Sequence, residues 1–88
     1  MSARVIVPGV EISLDGCTVY IMNVVRYTWL EGRRRFLVSC RVKCYDKLSK
    51  QFIIDVASND ELVRRLKHEI ALFKAIILGG NYDVYASA

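Results

Sequence analysis

Eighty-eight residues, 53% of them hydrophobic, are enough for one small domain with one core, and exclude two cores or a chain too polar to fold. The net charge of +4 and a pI near 9.2 favour acidic partners. The longest apolar run, IALFKAIIL, contains a lysine and falls well short of the roughly 20 residues that span a bilayer. The proline-glycine break in MSARVIVPGVEIS does not suit a secretory leader, so a soluble cytoplasmic protein is expected.

In chain order, an alternating run through Val5, Val7, Val10 and Ile12 meets Asp15-Gly16, the strongest short hairpin signal, because both central residues need positive φ. A two-residue turn there places Ile12 and Val10 opposite Val19 and Ile21. Glu31-Gly32 is a weaker version of the same signal. Taken as a two-residue turn, it sets Phe36, Val38, Val42 and Cys44 opposite Tyr27, Val25, Ile21 and Val19. One face is then apolar across three strands, with Asn23 discordant; a bulge or a satisfied buried amide accounts for that residue. QFIIDV predicts a fourth strand, with Phe52 opposite Cys44 across the DKLSK loop and Asp55 opposite Arg41.

The segment from Ser58 to Gly80 predicts a helix. Ser58 and Glu61 match a capping box, Asp60 suits the first turn, and Gly79-Gly80 forms the stop. Leu62, Leu66, Ile70, Phe73 and Ile77 make a stripe at helical spacing that should cover the apolar sheet face. The expected fold is α+β: a four-stranded antiparallel meander with one C-terminal helix packed on one face. It occupies a single domain over 1–88, with the sheet over about 3–56, the helix over about 59–78 and a tail over 79–88. Tyr82 and Val84 would allow a short C-terminal edge strand.

On this register the uncovered face carries Tyr20, Arg26, Arg35, Arg41, Lys43 and Tyr45. Arg33 lies at the turn, and Arg34 is opposite Trp29 on the helix side, where it would stack on the indole. Rings interleaved with cations are what single-stranded nucleic acid requires, since bases stack on rings and phosphates meet cations. The segment from Arg26 to Lys50 supports this with eight basic residues against two acids. A nucleic-acid-binding module is therefore expected, with RNA preferred over single-stranded DNA and a ribonucleoprotein or ribosome-associated role. Met22, Val24, Leu37 and Ile53 on the same face, with Leu72 and Ile76 on the helix, support an alternative: a homodimer or a heteromeric assembly surface.

Catalysis is not expected. The lone His68 lies among charged neighbours, and no carboxylate pair, phosphate loop or nucleophile elbow is present. No metal, cofactor or small-molecule substrate is implied. Cys40 and Cys44 on one strand would lie about 13 Å apart at ~3.3 Å per residue, too far to bridge, and an odd count of three argues for free buried thiols. The order of four antiparallel strands and one helix resembles that of single-strand-binding transcription coactivators and of Pur and Whirly repeats. That resemblance implies pairing of two such units.

Overall fold

A computed structural model describes residues 9–80. Val5, Val7, Tyr82 and Val84 lie outside the described residues. Strand β1 (Glu11–Leu14) turns at Asp15-Gly16 into the long β2 (Cys17–Thr28). Both turn residues have positive φ, 51° and 79°, as the hairpin signal requires. Ile12 faces Val19 and Leu14 faces Cys17, so the first register stands as expected.

The second hairpin differs. Strand β3 (Arg34–Cys44) is reached through a three-residue 3-10 turn, Leu30–Gly32, rather than a two-residue turn. The Trp29 amide donates to the Arg33 carbonyl at 2.6 Å, and Glu31 and Gly32 both take positive φ. One extra loop residue moves the pairing by one and reverses the faces of the loop-proximal half. Tyr27 therefore lies opposite Arg35, Val25 opposite Leu37, and Val24 opposite Val38. A register shift between Ile21 and Asn23 then restores the expected parity, so Ile21 and Val19 meet Cys40 and Val42 in the core. Asn23 is exposed opposite Ser39, which removes its discordance through the bulge.

The fourth strand also departs from expectation. Tyr45 and Asp46 form a tight turn with positive φ at both, and start a short β4 (Lys47–Leu48) against Lys43 and Cys44. Strand β5 (Phe52–Val56) follows along the same edge of β3, pairing Phe52 with Cys40 and Val56 with Phe36. DKLSK is thus partly strand, and β5 sits four residues further along β3 than the loop reading implied. The sheet is antiparallel throughout, with order β1-β2-β3 and both β4 and β5 on the outer edge of β3.

Helix α1 (Asn59–Leu78) closes one face, as the capping signals predict. The Ser58 hydroxyl accepts from the Glu61 amide at 3.2 Å, and the Glu61 carboxylate accepts from the Ala57 amide at 2.8 Å. Leu62, Leu66, Ile70 and Phe73 are fully buried against Val19, Ile21, Val38, Val42, Ile54 and Val56. At the far end, the Lys74 ammonium donates to the Asp15 carbonyl at 2.6 Å and ties the helix to the first turn. Ser58→Ala should cost about 1 kcal/mol, read as a shift in the urea midpoint with an unchanged slope.

Cys17 and Cys44 are joined by a disulfide across β2 and β3 (Cα–Cα 4.7 Å), which overturns the expectation of three free thiols. Equating Cys44 with a partner of Val19 concealed the pair; the actual register puts Cys17 directly beside it. Cys40 alone remains free and buried, and burial above all pushes its thiol pKa up to about 12.

Candidate nucleic-acid interface

With α1 on one face, the side chains that alternate away from the core form an open face on the other. At its closed end, near the β3–β4 turn, Tyr20 lies between Glu11 and Arg41, and Lys43 lies between Thr18 and Leu48. Tyr20, Met22, Arg41, Lys43, Asp46 and Leu48 line an open trough of about 480 Å³. Arg41 does not reach Asp55 as expected. Its Nε donates instead to the Ser49 carbonyl at 3.0 Å, which fixes the guanidinium over the trough. Three of the residues singled out from sequence, Tyr20, Arg41 and Lys43, are therefore brought together. Tyr45 is displaced from them: it occupies the turn itself, with φ 51°, and projects at the hairpin tip.

The loop end of the face has a different composition from that expected. Asp55 accepts from the Tyr27 hydroxyl at 2.6 Å and from Arg35 Nε at 3.0 Å. The Tyr27 hydrogen bond first, and the Arg35 guanidinium with it, hold the Asp55 carboxyl below its ordinary value; Arg65 adds a smaller pull. Conversely, the Asp55 hydrogen bond holds both Tyr27 and Arg35 above theirs. The ring of Trp29 stands edge-on to Tyr27, with centroids 6.3 Å apart and planes at 90°. Trp29 does not lie opposite Arg34, which pairs with Thr28 instead.

Arg26 leaves the interface altogether. It is opposite Phe36 and shares the helix-side parity of Val24 and Val38, although it is exposed. Arg33 sits in the loop, 3.8 Å from Glu31, with both side chains largely exposed, a pairing of little energetic weight. Of the expected apolar patch, Met22, Leu37 and Ile53 are exposed on the open face, and Val25 joins them opposite Leu37. Val24 turns to the core side and packs there half-buried. Leu72 is exposed and Ile76 half-buried on α1, an element against the other side of the sheet, so the six residues do not form one surface.

Sequence reading left Tyr27, Trp29 and Ser49 out of the open face, and gave Asp55 the wrong partner there, Arg41 in place of Tyr27 and Arg35. The available signal was the loop: Leu30-Glu31-Gly32 suits a three-residue turn ending in left-handed backbone as well as Glu31-Gly32 suits a two-residue one. Choosing the former would have put Tyr27, Trp29 and Arg35 on the open face together. No helix among the described residues is long and apolar enough to cross a membrane. The architecture defines the class as an α+β antiparallel sheet backed by a single helix, and no family model, curated protein or solved structure matches the chain.

Proposed function

We propose that the protein is a small module that binds single-stranded nucleic acid on the open face of its sheet. The observation that carries this reading is the trough in which Tyr20, Arg41 and Lys43 stand around the apolar side chains of Met22 and Leu48. A ring with aliphatic floor suits the faces of unpaired bases, and two cations at its side suit the phosphates that follow them. Ser49 fixes Arg41 through Nε, leaving the terminal guanidinium nitrogens as the phosphate-binding atoms in this reading.

Titration with short uridine RNA and thymidine DNA at several salt concentrations tests it. Each phosphate neutralised contributes a slope of about −0.7 in log affinity against log salt. Arg41→Glu with Lys43→Glu should weaken binding by more than about tenfold and flatten that slope by about 1.4, two contacts' worth. Equal binding by wild type and double variant would place the ligand elsewhere. Absence of binding at low salt for both oligomers would end the reading.

A second reading has its own support in the exposure of Met22, Val25, Leu37 and Ile53 along the middle of the face. Contiguous apolar surface flanked by Tyr and Arg is also the anatomy of a protein interface, including one between two copies of this chain. Light scattering over a wide concentration range tests that version. A dimer disrupted by Ile53→Lys supports it, and a monomer at all concentrations removes the homodimer.

A further inference from the structure

We propose that Trp29 and Arg35, at the loop end of the β2–β3 hairpin, form a second anchor for the same strand of nucleic acid, with Trp29 as a base-stacking platform and Arg35 as a phosphate clamp. The inference rests on the nucleic-acid reading of the open face and specifies how the ligand lies across it. Trp29 is 55% exposed although it is the largest apolar side chain in the protein. Its indole is nonetheless oriented, because Tyr27 meets it edge-on and Tyr27 is itself held by Asp55. An exposed ring held in place loses little freedom on stacking, which is what a platform for an unpaired base needs.

Arg35 is oriented by the same carboxylate. Asp55 engages Nε, so the terminal nitrogens of the fork are the ones aimed past it. The acid does not stand as a bare negative charge against a phosphate, since the Tyr27 hydroxyl and Arg35 both donate to it. The Trp29 amide donates to the Arg33 carbonyl, which ties the backbone at the indole into the loop. Two aromatic and cationic ends thus bracket one face: Tyr20 with Arg41 and Lys43, then Tyr27 and Trp29 with Arg35. Val25, Leu37 and Met22 fill the interval as apolar floor.

Tyr20 and Tyr27, which mark the two ends on β2, are seven positions apart, about 23 Å at ~3.3 Å per residue, and Trp29 lies two positions further along the chain. That span exceeds what a dinucleotide covers and falls within the site sizes of about 4–16 nucleotides seen for single-strand-binding folds of similar size. The strand should therefore run along the hairpin, not across the sheet, and short fragments should bind at one end only.

Trp29 is the only tryptophan, so its fluorescence reports this contact alone. Two signals are followed together: anisotropy of an end-labelled uridine oligomer of about ten nucleotides, within the usual site size, and quenching of Trp29. We expect both to saturate at the same midpoint, with Trp29→Ala weakening the anisotropy titration by about 5- to 150-fold, the loss typical of one stacked base. Trp29→Phe should recover part of that affinity. Because Trp29 is exposed, far-ultraviolet dichroism of Trp29→Ala should match wild type, which separates lost contact from lost fold. Oligomer binding with an unquenched tryptophan and an unaffected Trp29→Ala would overturn the second anchor while leaving the trough intact. No anisotropy change for wild type would overturn the nucleic-acid reading and the anchor together.

Discussion

Replacing Cys17 and Cys44 together by alanine is expected to lower the stability of the protein by about 3 to 4 kcal/mol, and its Tm by roughly 15 to 25 °C. The two cysteines are 27 positions apart, so the bond closes a loop that holds the whole β2–β3 hairpin. In the chain-entropy account a loop of that size removes about 3.5 kcal/mol of freedom from the unfolded chain. Both sulfurs are buried at the end of the sheet, and alanine leaves part of that volume empty, which adds to the loss. Alkylation in denaturant without reductant should label Cys40 alone; labelling of all three cysteines, with an unchanged Tm in the double variant, would show that the bond does not form in solution. The bond also removes the ground for reading the cysteines as those of a reducing cytosol. Such a link is usual in oxidising compartments, and occurs in the cytosol of hyperthermophiles.

How much of this was legible in the sequence depended on what local chemistry determines. The helix was fully legible, because Ser58, Glu61 and Gly79 mark its ends and its apolar stripe has only one possible face. The first hairpin was legible for the same reason, since Asp15-Gly16 admits one turn length. The second was not, because Glu31-Gly32 fits turns of two lengths and an alternating pattern absorbs a one-residue error wherever both faces carry apolar residues. Val24 and Val25 are the case in point: either could face the core, and only the loop decides. The bulge at Met22 then cancelled the error for Tyr20, Arg41 and Lys43, so the trough was found on a wrong register, while Arg26 and Val24 were assigned to the wrong face. The ion pair went astray by the same mechanism. Asp55 was matched to Arg41 because the turn at Tyr45-Asp46 contains no glycine, and four residues of offset were hidden in what read as a loop.

That hidden offset is held by Ser49, and Ser49→Ala is expected to damage stability and binding together. Ser49 is the only buried polar residue among those described, at 1% exposure. It takes the place of a regular strand residue between β4 and β5. Its amide donates to the Val42 carbonyl at 2.8 Å, while its hydroxyl accepts from the Val42 amide at 2.9 Å and donates to the Lys50 carbonyl at 2.9 Å. Alanine keeps the first bond and leaves the Val42 N–H buried without a partner, a loss of about 1 to 3 kcal/mol. The consequence extends to the open face, because the Ser49 carbonyl is what fixes Arg41 Nε. A loosened β4–β5 connection releases that guanidinium, so in the nucleic-acid reading the affinity should fall even at temperatures where Ser49→Ala is fully folded. Ser49→Thr retains the hydroxyl and is the informative control: it should recover most of the binding, even where the extra methyl group costs some stability in so tight a site. If Ser49→Ala lost stability but bound the oligomer as wild type does, Arg41 would not need its tether to act in the trough.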